Sequence, residues 1–412
     1  MNYLNFTVRS LDDIPAPIEH RVTYHDTNVK GLSLRVSPTG RKTFVVRRKL
    51  NNRDTYSSVG HYPAMTISQA RDMARQVHSL IDSGVNPKEI KRKALDKKRI
   101  TLSKVFDDYI QSRGTNLKEN TIKGYKSAFK NYLSDWGNKP LSEISRDMVE
   151  KRHRDITNGD GKFKESPTRA NTVMRHLRAY FNYAEGEYED SKGEPLFLHN
   201  PVSRISHIKA WNREKRKQTV IKSYNLKKWY EAVMELPLHK SNNKTPNSSE
   251  VCRDLFIFIL FTGLRRREAT ELKWENIDFQ DNSLTIENTK NHETHSLPLT
   301  DFLLELLDRR KVDPNSPFIF QSTEPNKSLN DPKKQLEKVR EISGVYFNLH
   351  DLRRTFITIA ESLDFSQYAL KKLLNHKDQR DVTGGYIITD MERLREPMNR
   401  ITAHIMKEIQ ND

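Results

Sequence analysis

Residues 262–272 read TGLRRREATEL and follow directly on LFIFILF, Leu255–Phe261, one of the most apolar runs in the chain. A helix as apolar as that belongs in a core, yet it runs into three arginines and a glutamate. At about 100° per residue, Arg265, Glu268, Ala269 and Leu272 share a face while Arg266 and Arg267 point elsewhere. Arg265 and Glu268 are therefore spaced to pair at the edge of a buried helix. Burying an arginine is costly unless something anionic receives it. A structural carboxylate would serve, and so would a phosphate, whose oxygens match the guanidinium fork. These residues alone leave both readings open.

The rest of the composition bounds the answer. The chain has 412 residues, room for about two to four domains. Hydrophobic content is 35% and charged content 30%, so each core is modest. A net charge of +17 points to a polyanion, a nucleic acid or an anionic membrane surface. No apolar run approaches the length of a membrane span, and MNYLNFTVRSLDD has no signal-peptide pattern, so no membrane is expected. The single cysteine, Cys252, excludes an internal disulfide and a cysteine zinc site and fits a reducing cytoplasm.

Outward from the opening stretch, the texture changes twice. In GLSLRV, residues Leu32, Leu34 and Val36 alternate with Ser33 and Arg35; KTFVVRRKL and TYSSVG follow after the turns SPTG and NNRD. TISQARDMARQVHSLIDSG then reads as a helix with Ala70, Met73, Val77 and Leu80 on one face, ended by Gly84 and Pro87. This gives a three-stranded sheet plus helix over residues 1–90, followed by a basic solvated linker, 91–100. Residues 101–190 read as a helical bundle. Ile122, Tyr125, Phe129, Tyr132 and Trp136 form one stripe with Gly137 as its stop; Val173, Leu177, Tyr180, Phe181 and Ala184 form another. Residues 191–218 read as an interdomain linker. The block 219–412 opens with helices, passes through the short strands NIDF, LTIEN and HSLPL, and is helical after that. The fold class is thus multidomain and mostly α with small β elements: sheet plus helix, central bundle, and a mixed α/β C-terminal domain.

Further polar residues join Arg265 and Glu268. Lys290 lies in the turn TKN between two predicted strands. NLHDLRRTF places His350 and Arg353 at i, i+3 on one helix. LKKLLNHKD supplies His376, and GGYI supplies Tyr386 ten residues later. Singly, each has an ordinary reading: a surface lysine, a satisfied core or cap histidine, a packing tyrosine.

As an ordered set, T-G-L-R-x-x-E, T-K, H-x-L-R, L-L-x-H and a following tyrosine resemble the tyrosine recombinase family. GLSLRVSPTGRKTFVVRRKL…VGHYPAMTISQARDMA resembles the arm-type DNA-binding block of integrases from temperate phages, satellite phages and genomic islands. One departure is Asn375, where the family usually has glycine. Asparagine tolerates left-handed backbone better than most residues, so the change reads as mild.

The resemblance implies attack of the Tyr386 hydroxyl on a DNA phosphodiester, giving a 3′-phosphotyrosyl enzyme with no cofactor. It implies that Arg265 and Arg353 clamp the non-bridging oxygens and that Glu268 orients Arg265. His350 would manage the tyrosine proton or bond the phosphate, His376 would donate to another oxygen, and Lys290 would protonate the leaving 5′-oxygen. The implied partners are double-stranded attachment-site DNA with core and arm sites, a homotetramer assembled on it, a host DNA-bending protein and an excisionase-type directionality factor. The implied location is a bacterial cytoplasm, at the nucleoid. Arg41, Lys42, Arg47, Arg48, Lys49 and Arg53 lie on the strands and turns of the arm block, within reach of phosphates or bases; each also suits a plain solvated surface charge. Leu394, Met398, Ile401, Ile405 and Ile409 form an apolar stripe in the C-terminal tail, read as an oligomerisation contact or as packing on its own domain. The rivals are an enzyme for excision or dimer resolution, and a metal-dependent nuclease or transposase. The stretch HETH, His292–His295, suggests a metal at first sight but is one residue short of the H-E-x-x-H helix.

Overall fold

The computed structural model describes residues 2–50, 53–215, 217–236, 248–287, 289, 293–311, 316–324, 326–329, 331–375 and 391–410. The chain divides into two compact units, Met1–Lys215 and Arg216–Asp412.

The first unit holds two cores. Strands β1 (Asn2–Leu4), β2 (Val22–Asp26), β3 (Leu32–Val36), β4 (Lys42–Leu50) and β5 (Arg53–Tyr62), with helix α1 (Val8–Asp12) after β1, form a sheet in the order β1-β2-β3-β4-β5. Only β1 and β2 run parallel. The three expected strands are β3 to β5, so the three-stranded reading is corrected to five. The extra two escaped because β2 has no apolar alternation and ends in a buried charge. The Asp26 carboxylate accepts from Phe6 N at 3.2 Å, Val29 N at 3.2 Å and Arg71 Nε at 2.9 Å. Helix α2 (Ile67–Asp82) covers the face bearing Leu32, Leu34, Phe44 and Val46. Its inner face is Ile67, Ala70, Ala74, Val77 and Ile81. Met73 and Leu80 are 37% exposed, so the expected stripe was partly out of phase: small alanine was the true core residue at 74, and methionine beside it was not.

The stretch read as a solvated linker is helix α3 (Pro87–Arg99). Asn86 caps it by accepting from Lys88 N, proline follows, Glu89 sits in the first turn, and Lys97, Lys98 and Arg99 in the last. Each placement suits the helix dipole. Glu89 pairs with Lys192 at 2.8 Å, and Lys93 pairs with Asp190.

The second core belongs to α4 (Leu102–Arg113), α5 (Glu119–Tyr132), α6 (Arg146–Asn158), α7 (Pro167–Glu187) and α8 (Ser203–His207). The expected α7 stripe is fully buried. The α5 stripe breaks after Tyr132; Trp136 comes from a separate 3-10 turn, Ser134–Trp136. Much of the expected linker 191–218 belongs to this unit. Leu196, Phe197, Val202 and Ile205 are in its core, and Asn171 Nδ2 donates to Asn212 O at 2.9 Å and Glu214 Oε1 at 2.7 Å.

The second unit contains α9 (Ser223–Met234), α10 (Ser248–Thr262), α11 (Arg266–Thr270), β6 (Ile277–Asp278), β7 (Ser283–Ile286), β8 (His295–Pro298), α12 (Asp301–Arg310), α13 (Lys333–Ser343), α14 (Leu349–Ser362), α15 (Gln367–Leu373) and α16 (Glu392–Gln410). The strands form an antiparallel sheet ordered β6-β7-β8. Every residue of α10 from Val251 to Thr262 is buried, so the apolar run is the centre of this core. Cys252 lies within it, and burial raises its thiol pKa to about 12. The α16 stripe packs on α9, α14 and β8 of the same unit, with Leu394, Met398, Ile401, Ile405 and Ile409 all buried. In the single chain, the stripe thus packs on its own domain, the second of the two readings.

Candidate active site

The opening stretch is a helix break. Helix α10 stops at Thr262, whose hydroxyl donates to Phe258 O at 2.6 Å. Gly263 follows at φ +65°, and a Cβ there would lie 2.4 Å from Phe356 Cδ1 of α14. Only glycine meets both demands, left-handed backbone and contact with an aromatic ring. The reversal puts Arg265 at the N-cap of α11 rather than at the end of the apolar helix.

Glu268 then serves Arg265 twice. Its carboxylate accepts from Arg265 N at 3.0 Å and from Arg265 Nη1 at 2.8 Å. The side chains are 22% and 7% exposed. Burial alone would raise the Glu268 pKa, but the two hydrogen bonds and the charges of Arg265 and Arg353 hold it below the usual carboxylate range. The expected pair is therefore real. Arg267 pairs outward with Glu271 at 2.6 Å.

Helix α14 brings the second arginine. Asn348 is its N-cap, and the Asp351 carboxylate closes a capping box by accepting from Asn348 N at 2.9 Å. Asp351 also accepts from Thr219 Oγ1 at 2.7 Å and Arg354 Nη1 at 2.8 Å, which tie the helix start to the incoming chain. Arg353 is 3% exposed and meets no carboxylate among the described residues. Its Nη1 donates to Gly263 O at 2.5 Å and its Nη2 to Leu374 O at 2.7 Å. Burial, then the charge of Arg265, pulls its pKa down to about 10, which leaves it cationic at neutral pH. His350 lies on the exposed side of the same helix; loss of solvent around the ring, then the charges of Arg354 and Arg353, lower its pKa.

Of the two guanidiniums, Arg265 is paired with the Glu268 carboxylate while Arg353 meets only carbonyls among the described residues, and Arg265 Nη2 also reaches the carbonyl of Asn375 at 3.3 Å. Asn375 has φ +45°, so the residue that departs from the family pattern takes the left-handed backbone that glycine would. A site with surplus fixed cation and donors held by backbone carbonyls is suited to an oxyanion.

Arg265, Glu268, His350 and Arg353 are thus brought into one region. Lys290, His376 and Tyr386 lie outside the described residues. Thr289, next to Lys290, is buried, and its hydroxyl donates to Glu293 O at 2.8 Å. The sequence reading missed His295, which is 3% exposed and donates from Nε2 to Leu373 O at 3.1 Å. HETH drew attention to it for a metal, and nothing local signalled a partner 78 residues away.

In the first unit, the six candidate DNA-binding residues differ. Lys42 Nζ donates to the carbonyls of Leu11 and Asp12, at 2.5 and 3.2 Å, and so caps α1. Arg48 pairs with Asp82 of α2 at 2.6 Å, and Arg47 with Asp54 at 2.7 Å. Arg41 Nη2 meets His61 Nε2 at 2.7 Å. Lys49 and Arg53 are exposed. Arg35 was not singled out, yet it stands with Arg47 on the face turned away from α2, both over the Tyr56 ring at 5.1 and 5.7 Å.

Comparison with known proteins agrees with this anatomy. Residues 230–393 match the phage integrase family and residues 6–94 match the arm DNA-binding domain. Prophage integrase IntF of Escherichia coli strain K12 is 24% identical over 451 residues, covering 98% of this chain and 91% of that protein. The integrase of Shigella phage Sf6 is 24% identical, covering 86% and 88%. A lambda integrase tetramer bound to a Holliday junction shares the fold, with a TM-score of 0.54 and 20% identity over 90% of this chain and 98% of that one. The chain thus carries a tyrosine recombinase domain of the phage integrase type behind an arm DNA-binding domain, the anatomy of an enzyme that cleaves and rejoins DNA.

Proposed function

We propose that this recombinase inserts a phage or another mobile element into a bacterial chromosome, and that Tyr386 is its nucleophile. The observation that carries the reading is the undercompensated pair of the half-buried Arg265 and the buried Arg353, held by Glu268 and the carbonyls of Gly263, Leu374 and Asn375. A DNA phosphate supplies the missing anion, and its growing charge in the transition state is what the pair binds best.

The Tyr386 oxygen attacks phosphorus, and its proton passes to His350 or to water. The bond from phosphorus to the 5′-oxygen breaks, and Lys290 gives that oxygen a proton. His376 donates to a non-bridging oxygen. Rejoining reverses these steps with a 5′-hydroxyl from the partner strand. The energy of the broken ester is kept in the phosphotyrosyl bond.

The arm domain favours integration over dimer resolution, because it offers a second DNA-binding site. The working assembly in this reading is a homotetramer on paired core sites, with a host DNA-bending protein and an excisionase-type factor setting direction. No helix among the described residues is long and apolar enough to cross a membrane, in keeping with action on DNA in the cytoplasm. The test is a nicked duplex carrying the element's own attachment site, incubated with protein in excess EDTA and run on a denaturing gel. A covalent protein–DNA band is expected. Cleavage that appears only with added divalent metal, with no band, would move the chain to the nuclease class.

A further inference from the structure

Three consecutive carbonyls at the end of α15 receive three different side chains. Leu373 O accepts from His295 Nε2 at 3.1 Å, Leu374 O from Arg353 Nη2 at 2.7 Å, and Asn375 O from Arg265 Nη2 at 3.3 Å. The last carbonyls of a helix carry its negative end, so two guanidiniums are well placed there. A histidine adds no charge that the site lacks. Because Nε2 faces a carbonyl, it carries the proton, and Nδ1 is left as a bare acceptor. That Nδ1 is buried and has no partner among the described residues. Burial lowers the pKa of this ring to about 4 against the pull of Glu268, so it is neutral at pH 7. An aliphatic side chain would fill the space without stranding a polar atom.

His295 is also rigidly mounted. It pairs with Ile286 across the β7–β8 ladder, and Leu297 and Pro298 after it are buried. A strand fixed by its own ladder thus reaches across to the end of a short helix.

We propose that His295 is a positioning residue for the arginine pair: as a neutral donor it anchors the Leu373 carbonyl and so fixes the turn whose next two carbonyls receive Arg353 and Arg265. The proposal rests on the reading of those arginines as the phosphate clamp. Without the anchor, the turn and its two carbonyls drift together and the guanidiniums lose a common reference. A displacement of that kind harms the chemical step and leaves ground-state DNA binding, which many other cations share, unchanged.

The test compares His295→Leu, His295→Asn and His295→Gln with wild type in single-turnover cleavage of the nicked attachment-site duplex, with DNA affinity and thermal melting measured on the same samples. The Gln amide reaches the place of Nε2; the shorter Asn amide reaches only that of Nδ1. All three should bind DNA as wild type does. His295→Leu and His295→Asn should cleave on the order of ten- to a hundredfold more slowly, and His295→Gln should recover most of the rate. In an Arg353→Lys background, His295→Leu should cost little more, because both changes act through one clamp. Wild-type cleavage by His295→Leu, a Gln variant no better than Asn, or the same loss in both backgrounds would overturn the proposal. Loss of binding in step with cleavage would return His295 to plain packing. A wild-type chain that forms no adduct would remove the clamp reading itself, and wild type run alongside separates that failure from the others.

Discussion

At the scale of single residues, the site turns on the Arg265–Glu268 pair at 2.8 Å and on Gly263 just before it. Arg265 and Glu268 are three apart, and helical spacing alone predicts their pairing. His350 and Arg353 were legible for the same reason. Gly263 is different: its motif announced a glycine, but the reason is the Phe356 ring, 93 positions on, which no local pattern encodes. Gly263→Ala should destabilise the second unit by roughly 2 to 4 kcal/mol, from left-handed strain plus displacement of a packed ring. Urea unfolding followed by a fluorophore in that unit measures it, and a change under about 0.5 kcal/mol would contradict the account. Lys290 makes a sharper chemical prediction. An alkoxide needs a proton to leave, whereas a 5′-thiolate does not. Lys290→Ala should therefore cleave ordinary DNA slowly and regain near-normal cleavage on a 5′-bridging phosphorothiolate, while Arg265→Ala stays slow on both. Equal rescue of the two variants, or of neither, would make Lys290 a positioning residue and turn attention to His350.

At the scale of elements, the errors share a cause: charge and small side chains hide structure. Helix α3 looked like a solvated run because its residues are mostly charged, although its caps and charge order were those of a helix. Strand β2 was hidden by a buried aspartate, and the inner face of α2 by an alanine. The α16 stripe was read correctly as apolar, but periodicity does not say which surface it meets. Strand β8 and helix α15 meet through His295, and that contact has a pH signature. The folded ring has a pKa of about 4 against 6.5 for the ordinary group. Between those values the unfolded chain binds the proton and the folded one does not, so stability falls as pH drops through 6.5 toward 4. The contribution lost is about 1.4 kcal/mol per pH unit across that window. His295→Gln has no such proton to take up. Its unfolding free energy should fall less than that of wild type between pH 6.5 and pH 4.5, and parallel pH profiles for the two proteins would contradict the assignment.

At the scale of the molecule, the net charge of +17 spreads over two separately packed units and three apolar cores. Composition pointed to a polyanion from the start, and in the proposed reading a DNA phosphate is the group that the arginine pair holds. The core of the arm sheet shares no residue with the bundle core, so the two should be separable in function. A chain shortened to begin at Arg99 should still cleave a nicked core site yet fail to integrate. DNA binding by both the full and shortened chains should fall steeply and linearly on a log–log plot against salt, as counterion release requires. Full integration by the shortened chain would sink the two-site reading. The central claim, transfer of a DNA phosphate to Tyr386, is tested most directly by digesting the protein–DNA adduct and sequencing its peptides by mass spectrometry. The account predicts a nucleotide-bearing peptide modified at Tyr386, and no adduct from a Tyr386→Phe chain that still binds the site. Modification at another residue, or an adduct that persists in Tyr386→Phe, would contradict it.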